Sequence, residues 1–187
     1  MALDLVSRSS LPFELGEIGA VLARWIERSF EVPVHVVGNS MGGQIAIHLA
    51  AAYPQLVRSL VLVDSSGIPL RFRPPLHLRN LIVPSGALSV ARLLLRDFFR
   101  TGPVALTRRL IRLFKDDVRP LLGRLTMPVL LIWGAHDALV PAAYAHEMKS
   151  GIPGARLAVI PRAGHIPMWE NPTGFNRELL AFFSSVD

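Results

Sequence analysis

Two hydrophobic patterns alternate along most of the chain. Short, nearly continuous apolar runs bounded by Gly, Pro or Asp are typical of strands buried on both faces of a parallel sheet, and they lie at 33–38, 59–64, 128–134 and 155–160. Between them, apolar residues recur at the i, i+3, i+4 spacing of amphipathic helices, which predicts helices over 15–29, 41–52, 141–150 and 173–183. This alternation predicts an α/β fold, a three-layer sandwich around a mostly parallel sheet.

Residues 67–124 interrupt the alternation. They begin with a Pro-rich stretch and continue with two basic amphipathic patterns, "ALSVARLLLRDFFR" and "PVALTRRLIRLFK". We therefore divide the chain into a core, 1–66 and 125–187, and a helical lid or cap insertion, 67–124. Eleven Arg and one Lys against three Asp give the insertion a charge of +9, whereas the whole chain carries +6. Either these arginines are solvated while the apolar faces cover the sheet edge, or they contact a membrane or an acidic partner.

The composition excludes several classes of protein. The chain has no cysteine, so disulfides, thiolate metal sites and cysteine nucleophiles are ruled out. Its N-terminus lacks the pattern of a signal peptide, and no apolar run approaches the roughly 18 residues of a membrane span, so we expect a cytoplasmic protein. The basic residues form no run with interleaved aromatic residues, and we expect no nucleic-acid binding.

The sequence "GNSMG" at 38–42 joins a predicted strand to a predicted helix. A serine in such a turn exposes its hydroxyl, and the flanking glycines avoid the collisions that a Cβ would cause. The unpaired N–H groups at the start of the following helix favour a negative charge that develops near them. Ser40 is therefore a candidate nucleophile.

A serine hydroxyl needs a base, and the base needs an acid that orients it. Asp137 comes just after the run at 128–134, and His165 comes just after the run at 155–160. The carboxyl ends of parallel strands meet at one edge of the sheet, so we expect Ser40, Asp137 and His165 to lie together there.

Four stretches together resemble the α/β-hydrolase superfamily, in its serine hydrolase form: "VGNSMGG" (37–43), "YPQLVRSLVLVD" (53–64), "MPVLLIWGAHDALVP" (127–141) and "PGARLAVIPRAGHIPMWENP" (153–172). The chain order Ser, Asp, His is the one expected for that superfamily. The resemblance implies a catalytic triad of Ser40, Asp137 and His165 and an oxyanion donor at the Met41 backbone N–H. It implies no cofactor and does not fix the substrate. The wording "GNSMGG" is similar to that of hydrolases of aromatic ring-cleavage products.

The usual N-terminal strands of the superfamily are missing before the strand at 33–38, which leads into the turn of Ser40. The family also takes a second oxyanion donor from a loop after its third strand, usually marked by His-Gly, and no His-Gly pair precedes Ser40. Without those strands, the strand at 33–38 would form an exposed sheet edge. Three explanations are open. The reading frame is incomplete, or a truncated protein is completed by self-association through that edge, or the chain keeps only the minimum that catalysis tolerates.

Other polar residues are weaker candidates for a catalytic role. Asp64 ends a strand where some hydrolases carry their acid, although a role in the turn is the simpler interpretation. His35, within a predicted buried strand, and His136, beside Asp137, are interpreted as structural, and His48 as packed on the helix after Ser40. His77 and His146 have no predicted partner, and these spacings predict no metal site.

Two function classes follow from these observations. The leading one is a serine hydrolase that acts on a small-molecule ester or related acyl substrate, with a C–C bond hydrolase as an alternative enzyme. The competing one is a catalytically impaired hydrolase-like fragment that serves as a binding or assembly module.

Overall fold

The computed structural model describes residues 14–69, 111 and 115–186. In chain order the elements are helix α1 (Leu15–Ser29), strand β1 (Val34–Asn39), helix α2 (Met41–Ala52), a 3₁₀ turn (Pro54–Leu56), strand β2 (Val57–Val63), helix α3 (Arg119–Leu122), strand β3 (Val129–Gly134), helix α4 (Ala142–Gly151), strand β4 (Arg156–Ile160), helix α5 (Pro167–Glu170) and helix α6 (Pro172–Phe183). The first predicted lid helix, the second except for residues 111 and 115, and His77 lie outside the described residues, so the lid stays a prediction.

The four strands form one parallel sheet in the order β1-β2-β3-β4. Val37 of β1 lies opposite Val61 of β2, and Leu62 of β2 lies opposite Leu131 of β3. Because the strands run in the same direction, their last residues lie at one edge of the sheet, which we call the carboxyl edge. The predicted α/β class is therefore confirmed.

Alternate residues of the central strands fill two separate cores. Leu60 and Leu62 of β2 pack on one face with side chains of α1, α2 and α4, while Val61 and Val63 pack on the other face with Phe175 of α6. The sheet is therefore the middle of three layers. Among the described residues, no helix is long and apolar enough to cross a membrane.

The outer strands are less buried than their apolar sequences predict. The expectation of burial on both faces holds for β3 but is wrong for β1 and β4. His35, predicted to be buried, is exposed and hydrogen-bonds through Nδ1 to Ser59 Oγ at 2.7 Å, and Val37 is 48% exposed. The physical reason is position, because within the described ranges each outer strand has a hydrogen-bonded neighbour on one side alone.

Two hydrogen-bonded connections join the ends of the predicted insertion. The Val118 N–H donates to the Gly67 carbonyl at 2.8 Å. Gln44 of α2 accepts from Ser66 Oγ at 2.8 Å and donates to Asp116 Oδ2 at 2.6 Å. We call this arrangement the insertion clamp, since it fixes the entry and the exit of the insertion to the helix that follows Ser40.

The last residues of the predicted insertion pack with the core. Val118 and Leu122 are buried in the larger of the two cores. His48 of α2, interpreted as packed, hydrogen-bonds through Nε2 to Asp116 Oδ2 at 2.8 Å. Burial raises the pKa of Asp116, but its hydrogen bonds with His48 and Gln44 outweigh burial and lower that pKa below its usual value. The folded core therefore extends into the range that the sequence assigned to the lid.

The turn between β1 and α2 is tight enough to require glycine at one position. A Cβ on Gly38 would lie 2.5 Å from the Gly42 carbonyl oxygen and 2.7 Å from Gly43 Cα, and both are backbone atoms. A Cβ on Gly42 would meet nothing within 4 Å. Two glycines of one turn thus differ sharply in the space around them.

We expect Gly38→Ala to destabilise the fold by about 1 to 3 kcal/mol, because the backbone must shift to admit the methyl group. The matched control Gly42→Ala should be neutral or stabilising by up to about 1 kcal/mol, since alanine favours a helix and the site is open. Urea unfolding followed by circular dichroism measures both changes. Equal effects of the two substitutions would show that the turn is not tightly packed.

Candidate active site

Ser40 occupies a strained turn between β1 and α2. Its φ of 53° and ψ of −121° are unusual for a residue with a side chain, and a backbone of this kind costs about 1 to 3 kcal/mol. The Ser40 N–H donates to the Val63 carbonyl at 3.0 Å, and the Ser40 carbonyl accepts from the Ser66 N–H at 3.2 Å. The end of β2 therefore holds the strained residue in place.

The first turn of α2 begins directly at Ser40. The N–H groups of the first helical residues have no carbonyl partner one turn earlier, so they give the helix start a partial positive charge. The Gly43 N–H bonds back to the Ser40 carbonyl at 3.0 Å. Met41, the first residue of the helix, carries the N–H that the sequence suggested as an oxyanion donor.

Asp137 and His165 form a hydrogen-bonded pair at the carboxyl edge. The distance from His165 Nδ1 to Asp137 Oδ2 is 2.8 Å, and the Asp137 side chain is fully buried. The other oxygen of Asp137, Oδ1, accepts from the backbone N–H groups of Leu139 at 2.8 Å and Val140 at 3.0 Å. These bonds fix the carboxylate, and the carboxylate fixes one ring nitrogen of His165.

Asn39 connects the serine turn to the histidine loop. Its Nδ2 donates to the His165 carbonyl at 3.3 Å and to the Val63 carbonyl at 3.2 Å. Asn39 directly precedes Ser40, so these bonds hold the loop of His165 next to the serine turn. The structure thus brings the three predicted residues Ser40, Asp137 and His165 to the same part of the carboxyl edge.

Glu170 of α5 braces the histidine loop from the other side. Its two carboxylate oxygens accept from the backbone N–H groups of Gly164 at 2.9 Å and Ile166 at 3.1 Å, the two neighbours of His165. The loop also lies directly against the end of β3, where a Cβ on Gly134 would overlap the Gly164 carbonyl oxygen. Both contacts restrict the position of His165.

Asp64 is a third acidic group at this edge. It directly follows β2, has a φ of 42° and is completely buried. Its Oδ1 accepts from the Gly134 N–H at 2.9 Å. Burial raises the pKa of Asp64 to about 9; the Gly134 hydrogen bond opposes that rise, and Asp137 and the charge of Glu170 add to it. Asp64 therefore keeps its proton at neutral pH.

Asp64, Asp137 and His165 each offer one ligand atom, and these atoms lie within 4.8 Å of one another. A cation bound there would have to replace the bond between His165 Nδ1 and Asp137 Oδ2, and it would have to ionise Asp64. The hydrogen-bonded arrangement already accounts for the cluster, and we assign no metal to it.

The remaining histidines lie apart from this cluster. His136 is exposed, and its backbone N–H donates to the Ala163 carbonyl at 2.9 Å. His146 is exposed on α4, and His48 contacts Asp116 behind the serine turn. None of these three side chains takes part in the hydrogen bonds between Asp137 and His165.

A model of the alpha/beta hydrolase family matches residues 2–178, which is most of the chain. The chain belongs to the alpha/beta hydrolase family. A solved member of that fold, an alpha/beta hydrolase enzyme from a metagenome of sediments of the Mar Chica lagoon in Morocco, superposes with a TM-score of 0.74 at 25% identity. The superposition covers 98% of this chain and 76% of that enzyme.

Curated relatives of this chain include two kinds of enzyme. A 2-hydroxy-6-oxononadienedioate/2-hydroxy-6-oxononatrienedioate hydrolase from a Pseudomonas species is 30% identical over 178 residues, covering 80% of the chain and 62% of the relative. A pimeloyl-[acyl-carrier protein] methyl ester esterase from Neisseria meningitidis is 29% identical over 202 residues, covering 93% of the chain and 78% of the relative. The chain thus spans less than two thirds of the first of these proteins.

Sequence reasoning missed two residues of this candidate site, Asn39 and Glu170. Asn39 lies inside the "GNSMGG" motif, so its position next to Ser40 was the available signal. Glu170 lies five residues after His165 in "GHIPMWENP", where a carboxylate can return to the N–H groups of the loop that precedes its short helix. Both act on the histidine loop through backbone bonds, which a residue pattern does not reveal.

The raised pKa of Asp64 predicts a pH-dependent stability. Between the unfolded value of 3.8 and about 9, the unfolded carboxyl is ionised while the folded one stays protonated. The folded state then binds one more proton, so this stabilising contribution is full below pH 3.8 and is lost as the pH rises towards 9. The slope approaches about 1.4 kcal/mol for each pH unit.

We expect Asp64→Asn to remove this slope. Its stability relative to the wild type should therefore increase by roughly 3 kcal/mol between pH 6 and pH 8, as measured by urea unfolding. The control Asp117→Asn should show no such change, because hydrogen bonds with Arg119 lower the pKa of Asp117, leaving it ionised in both states over this range. A pH-independent difference for Asp64→Asn would contradict the buried, protonated carboxyl.

Proposed function

We propose that the chain is a serine hydrolase that cleaves an ester or a related acyl substrate through Ser40, His165 and Asp137. One observation carries this proposal: the 2.8 Å bond between the buried Asp137 carboxylate and His165 Nδ1, in a loop that Asn39 ties to the strained turn of Ser40. A serine, a histidine oriented by a carboxylate, and helix-start N–H groups are the parts that acyl transfer requires.

The geometry supports a division of roles among these residues. Because Nδ1 of His165 is bonded to Asp137, its Nε2 is the nitrogen left to take the proton from Ser40. The Ser40 oxygen attacks the acyl carbon, and His165 then returns the proton to the leaving group. Asp137 stabilises the imidazolium that forms between these two steps. A water molecule then attacks the acyl group on Ser40, with the same proton transfers through His165, and releases the carboxylic acid product.

The negative charge that develops on the substrate oxygen needs hydrogen-bond donors to stabilise it. The Met41 N–H at the start of α2 is the donor that we propose, and the partial positive charge of the helix start assists it. An active site with that donor alone would be slower by about 10² to 10³, because one missing oxyanion donor typically removes about 3 to 4 kcal/mol of transition-state stabilisation.

The relatives support two substrate classes for the same three residues. The similarity to a methyl ester esterase over 93% of the chain favours an ester of a carboxylic acid. The similarity to a 2-hydroxy-6-oxononadienedioate hydrolase makes C–C bond hydrolysis the second candidate. We place ester hydrolysis first because it needs nothing beyond the nucleophile, base, acid and donor described above.

A fluorophosphonate probe should label the wild-type chain at Ser40, and the label should be absent from Ser40→Ala and His165→Ala. The probe reacts with a serine whose proton is taken by a neighbouring base, so both losses follow from the proposed roles. Mass spectrometry of the labelled peptide locates the adduct. The control Ser150→Ala, at an exposed serine of α4, should label like the wild type.

Absence of labelling in the folded wild type would contradict the proposal and would favour a binding or assembly module instead. In that case the arginines at 92, 96 and 100, which lie outside the described residues, would be the candidates for contact with an acidic partner or membrane. Binding to anionic vesicles that weakens with salt would then be the expected property.

Asp137→Asn should lower the hydrolysis rate of a p-nitrophenyl ester by about 10³ to 10⁴, since the amide favours the wrong tautomer of His165. Substrate affinity should change far less than the rate, which steady-state kinetics separates into kcat and KM. The control Asp117→Asn, on a surface carboxylate paired with Arg119, should retain the wild-type rate. A small loss of kcat in Asp137→Asn would argue that a different carboxylate orients His165.

A further inference from the structure

Asp64 has a place in the site that the triad roles do not use. It is fully buried, its Oδ1 accepts one backbone bond from Gly134, and its Oδ2 is buried with no hydrogen-bond partner among the described residues. A buried carboxylate oxygen without a donor is strongly unfavourable, since it loses its water and gains nothing. The same oxygen carrying a proton becomes a donor and can be satisfied by a nearby acceptor.

The acceptor that lies nearby is the carboxylate of Asp137. One carboxylate oxygen of Asp64, one of Asp137 and one ring nitrogen of His165 lie within 4.8 Å of one another. Asp137 already accepts three hydrogen bonds, two from backbone N–H groups and one from His165. Asp64 accepts one. Because hydrogen bonds stabilise the charged form of a carboxylate, Asp137 holds the negative charge and Asp64 holds the proton.

Three titratable groups near Asp64 come from three later segments of the chain. Asp137 follows β3, His165 follows β4, and Glu170 belongs to α5. Two of these three are acidic, so an ionised Asp64 would add a third carboxylate to a mostly buried region. The raised pKa of Asp64 agrees with this arrangement: burial is its largest cause, and Asp137 and Glu170 contribute to it.

We propose that Asp64 is a positioning residue that keeps its proton at neutral pH and donates it to Asp137, so that the two carboxyls share one negative charge beside His165. The catalytic part of this inference rests on the proposed hydrolase function. The shared proton supplies a further hydrogen bond to the carboxylate that orients His165, and it limits the negative charge that the histidine experiences.

The shared proton matters for the base. If Asp64 were ionised, two negative charges would face His165 and would stabilise its protonated form, which cannot accept the proton of Ser40. A single charge stabilises the imidazolium during the reaction and still releases its proton afterwards. Asp64 thereby supplies a hydrogen bond to Asp137 at neutral pH without adding a second negative charge beside His165.

Histidine ¹⁵N NMR tests the pair without any turnover. In the wild type, the ¹⁵N resonances of the His165 ring should change in chemical shift near pH 9, when Asp64 loses its proton. We call this change the second shift, to distinguish it from any change at lower pH. Asp64→Asn should lack this second shift, because the amide donates to Asp137 at every pH, and asparagine tolerates the positive φ of this position. Asp117→Asn should retain it. A wild type without the second shift, or an Asp64→Asn variant that keeps it, would overturn the proposal.

An infrared titration of the wild type keeps the test independent of any variant. The carbonyl stretch of a protonated carboxylic acid should be present at pH 7 and disappear around pH 9. Its absence at pH 7 would show that no buried carboxyl retains a proton, which also overturns the pair.

Labelling rates separate the positioning role from the hydrolase function. The rate of fluorophosphonate labelling of the wild type should change between pH 8 and pH 10, because Asp137 loses the hydrogen bond from Asp64 when Asp64 ionises, while Asp64→Asn should keep its rate over this range. Equal pH profiles would overturn the positioning role. If nothing labels and the second ¹⁵N shift is present, the hydrolase function fails and the carboxyl pair stands. If labelling depends on Ser40 and that shift is absent, the pair fails and the function stands.

Discussion

Direct contact between backbone segments at the carboxyl edge of the sheet is the constraint on which the site depends. The start of α2 lies against Gly38, and the histidine loop lies against Gly134, each at a distance that leaves no room for a Cβ. These two contacts set the positions of Ser40 and His165 before any side chain is considered. The hydrogen bonds of Asn39 and Glu170 then refine the same arrangement. Backbone packing thus positions Ser40 and His165, and side-chain hydrogen bonds adjust those positions.

Electrostatics imposes the second condition. Asp64, Asp137 and Glu170 bring three carboxyls to one small region, and two of them are buried. Backbone N–H groups at the loop after β3 stabilise the charge of Asp137, whereas burial raises the pKa of Asp64, which receives only one such bond to oppose that rise. Neighbouring carboxyls thus acquire different protonation states from the number of donors that face each of them. That difference is the physical basis for separate roles of two chemically identical side chains.

Hydrophobic periodicity was sufficient to predict the four strands and the long helices. Helix α2 begins and ends where the pattern placed it, at Met41 and Ala52. The four-residue helices α3 and α5 were missed, because so few residues show no period. The exposed edge at β1 was expected from the absence of the family's preceding strands, whereas the exposure of β4 was missed, since apolar composition does not reveal whether a strand has neighbours on both sides.

The candidate site was predictable as far as topology determines it. Asp137 and His165 follow strands that must end at the same edge, so their meeting required no knowledge of register. The neighbourhood of Asp64 does depend on register. Val63 lies opposite Ile132, which places the next residue of the chain beside Gly134 and so beside the loop of Asp137. No spacing in the sequence contains that information, and Asp64 was therefore interpreted as a turn residue.

The insertion clamp has a consequence for how this fold can change over evolution. Its bonds close the base of the insertion on Gln44 and between Gly67 and Val118, independently of what lies between. The entropy of closing a loop grows with the logarithm of its length, so doubling the insertion costs only about 0.6 kcal/mol. A segment closed in this way can be lengthened, shortened or exchanged for another sequence while the helix behind Ser40 keeps its position. Change within the insertion and preservation of the turn at Ser40 are thereby uncoupled.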